Sequence, residues 1–202
     1  MTTLVLVRHG PSAYAHAAGA LDGSGVEQWR THYDAAGVRE DAQPPAALMR
    51  IAAEADCVVT SDLPRARESA TRLFGKRPLI TSPLLREFPL AVPKWPTRLP
   101  LAAWGAIIYL HWQIRRWRGR ALTPADRAQV TDALRFVIAH TGVGATSVVV
   151  THGVRRVLLA EQLVQDGWAA RARHGGYGHW SAWIFQRATP PTPALQRRAK
   201  AV

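Results

Sequence analysis

Thr3-Leu4-Val5-Leu6-Val7-Arg8-His9-Gly10 is an apolar run that stops on two polar residues and a glycine. Its valine and leucine content and the Gly10-Pro11 stop predict a buried strand over residues 3–8. A second run, Thr146-Ser147-Val148-Val149-Val150-Thr151, is built the same way and is followed by His152-Gly153. Residues 56–60 (Asp-Cys-Val-Val-Thr) predict a third strand, 78–81 a short one and 180–187 a last one. Helices are predicted at about 26–36 and 45–55, from Ser61-Asp62-Leu63-Pro64 to about 74, from Thr123-Pro124 to about 140, and over about 154–166 before Gly167. Strands alternating with helices predict an α/β fold with right-handed crossovers: a three-layer sandwich whose mostly parallel central sheet is flanked by helices. Residues 1–187 are expected to form one domain, with a tryptophan-rich insert at about 89–120. Residues 188–202, basic and proline-containing, read as a flexible tail.

With 202 residues, 48 % hydrophobic and 20 % charged, the composition is that of a globular domain able to bury a core. Cys57 is the only cysteine, which excludes a disulfide within the chain and a four-cysteine zinc site. The N-terminus lacks the basic and apolar regions of a secretory signal, so a cytoplasmic location is expected. The net charge is +12, and 23 of the 26 basic residues are arginines. Two readings stay open: compositional bias, and attraction to an anion such as a phosphorylated substrate, nucleic acid or an acidic membrane. No nucleic-acid-binding motif is present, so nucleic acid is not an expected partner.

On this plan the polar residues gather. Arg8 and His9 end the first strand, Ser61 and Arg65 follow the third, and His152 follows the valine strand. In open α/β sheets ligands bind at the carboxyl ends of the strands. Gly10 and Gly153 each follow a histidine, where glycine permits a sharp turn and a close approach to ligand. The helix beginning near Val154 is expected to aim its first amides at the same place. Two arginines, two imidazoles and a helix N-terminus suit a phosphate, because the guanidinium fork donates two hydrogen bonds at once. Any one of these residues alone is more often a packed histidine or a solvated charge; their shared placement carries the reading.

Leu6-Val7-Arg8-His9-Gly10 resembles the signature of the histidine phosphatase superfamily, the phosphoglycerate-mutase-like enzymes. Ser61-Asp62-Leu63-Pro64-Arg65-Ala66-Arg67-Glu68-Ser69-Ala70 resembles that family's Ser-x-x-x-Arg-Ala-x-x-Thr-Ala segment. Leu85-Arg86-Glu87 resembles its Leu-x-Glu segment, and Val149-Val150-Thr151-His152-Gly153 its Val-Val-Ser-His-Gly strand end. The resemblance implies that His9 is the nucleophile and that Arg8, Arg65 and His152 hold the phosphate. It implies that Glu87 protonates the leaving oxygen and then activates water. Ser12 and Ser61 are expected as further phosphate contacts. The implied activity is hydrolysis of a phosphorylated small molecule through phosphohistidine, with no metal and no cofactor. Alternatives are a mutase-like phosphoryl transferase and a non-catalytic module that binds an anion, a phosphorylated partner or a membrane surface. Two departures stand out: Ala15 replaces the family's asparagine, with His16 as a possible substitute, and Phe88-Pro89-Leu90 replaces the Asp-x-Gly run after the glutamate.

The insert carries Trp95, Trp104, Trp112 and Trp117, and closes with Arg115, Arg116, Arg118 and Arg120. Its apolar stretch is too short to span a membrane. Three readings apply: a buried helix with snorkelling arginines, a cap in which Trp104 and Trp112 select the leaving group, or a helix in peripheral contact with a membrane surface. His179, in the loop His174-Gly175-Gly176-Tyr177-Gly178-His179, is a third selecting candidate beside what is otherwise a plain glycine-rich turn.

Overall fold

A computed structural model describes residues 1–15 and 19–188. The anticipated tail beyond residue 188, and His16, lie outside the described residues. The strands are β1 (Thr2–Arg8), β2 (Ala20–Leu21), β3 (Cys57–Ser61), β4 (Ile80–Ser82), β5 (Leu99–Pro100), β6 (Thr146–Thr151), β7 (Ala169–His174) and β8 (Ala182–Arg187). The helices are α1 (Gly23–Ala35), α2 (Ala46–Ala53), α3 (Pro64–Phe74), α4 (Leu101–Trp117), α5 (Pro124–Ala139) and α6 (Gly153–Gln165).

The main sheet has the order β4-β3-β6-β1-β8-β7. β4, β3, β6 and β1 run parallel, and β8 and β7 join antiparallel at one side. Side chains alternate along each strand, so both faces of the central strands must be apolar to be buried. Leu4, Leu6 and Val149 pack with Val130, Leu134 and Val137 of α5 and Leu158, Leu159 and Leu163 of α6. Val5, Val7, Val148 and Val150 pack with Leu48 and Ala52 of α2 and Ala66, Ala70 and Leu73 of α3. Two such layers on one sheet make the three-layer sandwich that the alternation predicts.

Two elements were not anticipated. β7 (Ala-Ala-Arg-Ala-Arg-His) is exposed along its whole length. An edge strand with neither face buried carries no apolar alternation, and its arginines oppose edge-to-edge pairing. The short ribbon β2–β5 pairs Leu21 with Leu99 and fastens the start of α4 to the segment before α1.

α4 accounts for most of the insert. Trp104 is fully buried and its indole N–H donates to the Leu21 carbonyl at 2.7 Å. Trp112 is buried against α5 and α6 in the core. Leu110, Ile114 and Trp117, at i, i+4 and i+7, are exposed on another face. Among the described residues no helix is long and apolar enough to cross a membrane.

Candidate active site

The register of β1 against β6 pairs Val7 with Val150 and Arg8 with Thr151. The residues that follow therefore leave the sheet side by side. The His9 amide donates to the Thr151 carbonyl at 3.0 Å, and the rings of His9 and His152 lie 5.0 Å apart. Both are buried, at 2 % and 0 % exposure.

His9 is held in one tautomer by its two neighbours. Nδ1 lies 2.6 Å from the Gly10 carbonyl, which can only accept. Arg65 Nε, which can only donate, lies 3.2 Å from Nε2. The proton is thus on Nδ1 and the lone pair on Nε2. Arg65 enters from the first turn of α3, where Pro64 occupies the first helical position. Its Nη1 donates to the Tyr33 carbonyl at 3.0 Å, its Nη2 pairs with Asp34 at 2.9 Å, and its guanidinium lies 4.4 Å from the Tyr33 ring centre. The last turn of α1 thereby fixes an arginine that is 1 % exposed.

His152 Nε2 lies 2.9 Å from Ser61 Oγ. That oxygen is fully buried and, among the described residues, has no acceptor within reach other than this ring, so the hydroxyl proton falls on His152 Nε2 while a lone pair takes the Leu63 amide. The His152 proton then sits on Nδ1, a buried donor with no partner. Arg8 donates from Nη1 to the Tyr177 carbonyl at 2.8 Å, and its buried Nε also has no partner. Unpaired buried donors are costly, and an anion would satisfy both. His179 completes the rim, its ring 5.4 Å from that of His9.

Three expectations change. Ser61 is fully buried behind His152 and orients that ring instead of facing a ligand. Ser12 is also buried; its oxygen accepts the Tyr14 amide inside a turn, and the hydroxyl keeps a proton to donate. The first amides of α6 are not free for an anion: Glu87 Oε1 accepts Val154 N at 3.1 Å and Arg155 N at 3.0 Å, and Phe88 N at 2.9 Å. Its Oε2 takes only a longer contact, 3.3 Å, from Val154 N. Gly10 is required by packing, because a Cβ there would lie 2.4 Å from Trp180 Cζ2.

Two cavities open beside Glu87. One, of about 330 Å³, runs between α1 and α4 and reaches Arg65. The other, of about 310 Å³, reaches Arg8, Trp112, Arg116 and Tyr177. Trp112 lines the second cavity, whereas Trp104 lines neither and anchors α4.

Sequence reasoning missed Arg156. It is fully buried one turn after His152, donates to Ser181 Oγ at 2.6 Å and to the Ser181 carbonyl at 2.9 Å, and lies 4.0 Å from the Trp183 ring centre. It holds the end of the loop that carries Tyr177 and His179. An arginine on the sheet-facing side of an apolar helix was the available signal.

Burial, and then the charge of Arg65, hold the His9 imidazole well below its ordinary pKa. Burial and then His9 do the same to His152. Partial desolvation and then Arg8 lower His179 to about 4. Neutral rings are the form with a usable lone pair. The same shifts make the fold acid-sensitive. Below about pH 6.5 the unfolded chain takes up protons at His9 and His152 that the folded chain refuses. Stability is therefore full above that pH and falls as acid is added. The slope is at most about 1.4 kcal/mol per pH unit for each of the two buried rings. Urea melts at pH 7.5 and 5.5 check this, and equal midpoints would contradict it.

No family model and no curated protein matches the chain. Solved structures do. YhfR of Bacillus stearothermophilus aligns at 21 % identity and TM-score 0.55, over 94 % of this chain and 96 % of that one. A mycobacterial glucosyl-3-phosphoglycerate phosphatase, solved with VO3, aligns at 20 % identity and TM-score 0.54, over 82 % and 83 %. Phosphoserine phosphatase of Entamoeba histolytica, in complex with 3-phosphoglyceric acid, aligns at 15 % identity and TM-score 0.51, over 96 % and 100 %. The chain has the fold of these structures.

Proposed function

We propose that the protein is a phosphomonoester hydrolase that works through a phosphohistidine on His9, without a metal. The observation that carries the reading is the fixed tautomer of His9, with its Nε2 lone pair beside Arg65 and two orphaned donors. Phosphoryl transfer depends mainly on positioning and on charge compensation, and Arg8, Arg65 and His152 Nδ1 supply both. The phosphatases that share the fold support a phosphorylated small molecule as substrate.

In the first step the phosphate oxygens take the Arg65 donor away from Nε2. The Nε2 lone pair forms a bond to phosphorus as the bond to the ester oxygen breaks. The leaving oxygen takes a proton from the carboxylic acid form of Glu87, through Oε2, the oxygen with the fewer amide contacts. The ring becomes cationic, and the Gly10 carbonyl accepts its Nδ1–H throughout. In the second step Glu87 removes a proton from water, the water oxygen bonds to phosphorus, and the electrons of the N–P bond return to Nε2. This releases inorganic phosphate.

Rapid quenching with a radiolabelled phosphomonoester tests the reading. The expected product is an acid-labile, base-stable phosphoenzyme, formed equally with chelator present. Loss of turnover with chelator, restored by a divalent cation, would overturn it. A phosphoryl group passed to a second alcohol and not to water would favour the mutase alternative.

Glu87→Gln separates catalysis from capping. The amide oxygen can still accept the α6 amides, but the group no longer donates an acidic proton. Turnover of an alkyl phosphate is expected to fall by about 10²–10⁴-fold, and that of a nitrophenyl phosphate much less, because its leaving oxygen is a weak base. Equal losses on both would assign Glu87 a purely structural role.

A further inference from the structure

A phosphate held by Arg8, Arg65 and His152 accounts for one end of a substrate. The space beside its other end is apolar. The cavity of about 330 Å³ that opens at Glu87 and Arg65 is walled by Trp29, Tyr33, Phe88, Leu90, Ile108 and Tyr109. Trp29 and Tyr33 stack with their ring centres 4.8 Å apart, which makes one wall flat and stiff. The volume lies at the lower end for small-molecule sites.

Each charged group at its margin has a partner within the protein. Arg30 donates to the Leu90 carbonyl at 2.8 Å and meets Glu27 at 3.3 Å. Asp34 pairs with Arg65, and Glu87 accepts the α6 amides. Among the described residues, one buried donor lining this cavity lacks a partner: Trp29 Nε1. It can serve one acceptor atom. A leaving group rich in hydroxyls, or bearing an ammonium or carboxylate, would lose water here and gain few hydrogen bonds in return.

Gly105 adds an independent observation. It lies within α4, where glycine is less favourable than alanine. It lines the same cavity, yet a Cβ at this position would meet no atom within 4 Å. Protein packing does not require a glycine there, and its absent side chain leaves the cavity open.

We infer that the substrate's leaving group is a compact, mainly hydrocarbon or aromatic alcohol, seated between α1 and α4. This inference rests on the phosphatase reading above. The substrate class is a phosphomonoester of an apolar alcohol, not a sugar phosphate or a phosphorylated amino or hydroxy acid.

The test is phosphate release from a series of n-alkyl phosphates, ethyl to hexyl, with phosphoserine, 3-phosphoglycerate and ribose 5-phosphate as polar counterparts. The alcohols of the alkyl series leave with nearly equal basicity, so the trend reads the cavity and not the chemistry. kcat/KM is expected to rise about three- to fourfold per methylene, with hexyl phosphate ahead of every polar ester. In Gly105→Leu the new side chain occupies the cavity, and the ratio of kcat/KM for hexyl over ethyl phosphate is expected to fall at least about tenfold. A flat series, a faster polar ester, or an unchanged ratio in a variant that melts like wild type would overturn the inference. If Gly105→Leu does not fold, the wild-type series decides alone. Release from all esters with no chain-length trend would remove only this inference. No release from any ester, and no phosphoenzyme, would remove the phosphatase reading and this inference with it.

Discussion

With alanine at position 9, hydrolysis of an aryl phosphate is expected to drop on the order of 10⁴-fold or more, and no acid-labile phosphoenzyme should form. The size of the loss follows from what the rest of the site cannot replace. His152 Nε2 is engaged with Ser61 Oγ, so its ring offers the pocket a donor at Nδ1 and not a lone pair. His179 is neutral near pH 7, but it belongs to the loop at the rim and not to the ends of the central strands. Arg8, Arg65 and His152 remain in His9→Ala, so the variant should still bind inorganic phosphate. Calorimetric titration of wild type and variant with phosphate, alongside the activity assay, separates loss of the nucleophile from loss of the pocket. Turnover in the variant within tenfold of wild type would place the nucleophile elsewhere.

The largest expected effect on stability comes from Gly10→Ala. The new methyl would sit 2.4 Å from Cζ2 and 2.7 Å from Cε2 of the Trp180 indole. The indole cannot simply swing away. Trp180 has a left-handed backbone (φ 58°), its amide donates to the Arg8 carbonyl at 3.1 Å, and its side chain is 8 % exposed. Relief requires moving this loop or moving His9. Overpacking of this kind costs about 1–3 kcal/mol, equivalent to about 2–4 °C in Tm per kcal/mol for a chain of this length. Activity should fall as well, because the Gly10 carbonyl sets the His9 tautomer. Gly153→Ala is the control. Its Cβ would lie 3.5 Å from the Arg8 guanidinium carbon, an ordinary contact, and Tm should change by no more than about a degree. Thermal melts of the two variants in parallel check the contrast, and equal shifts would contradict it.

The two glycines show where sequence reasoning ends. Each follows a histidine at a strand end, and both received the same explanation, close approach of the backbone to a ligand. In the folded chain Gly10 is required by an indole 170 positions away in sequence, and a Cβ at Gly153 would make only ordinary contacts with Arg8 and Glu87. The two tryptophans of the insert were likewise equivalent as sequence. The β2–β5 ribbon brings the Leu21 carbonyl to Trp104 and makes it an anchor, while Trp112 reaches a cavity beside Glu87.

Local sequence pattern sets the layout. Strand interiors are valine and leucine because both faces are covered, and the polar residues begin where the strands stop, so β1, β3, β6 and the placement of Arg8, His9, Arg65 and His152 could be read from local pattern. How those residues are wired depends on partners that the folded chain brings together. Which nitrogen of His9 holds the lone pair depends on Arg65, 56 positions away, and on the Gly10 carbonyl. Whether Ser61 serves the ligand or His152 depends on an imidazole 91 positions away. Glu87, from the loop before the insert, takes the α6 amides that local pattern offered to an anion. The difference is one of range. Burial periodicity and turn chemistry act over a few residues and are written locally. Hydrogen-bond partners act over about 3 Å between segments that meet only when the sheet is assembled.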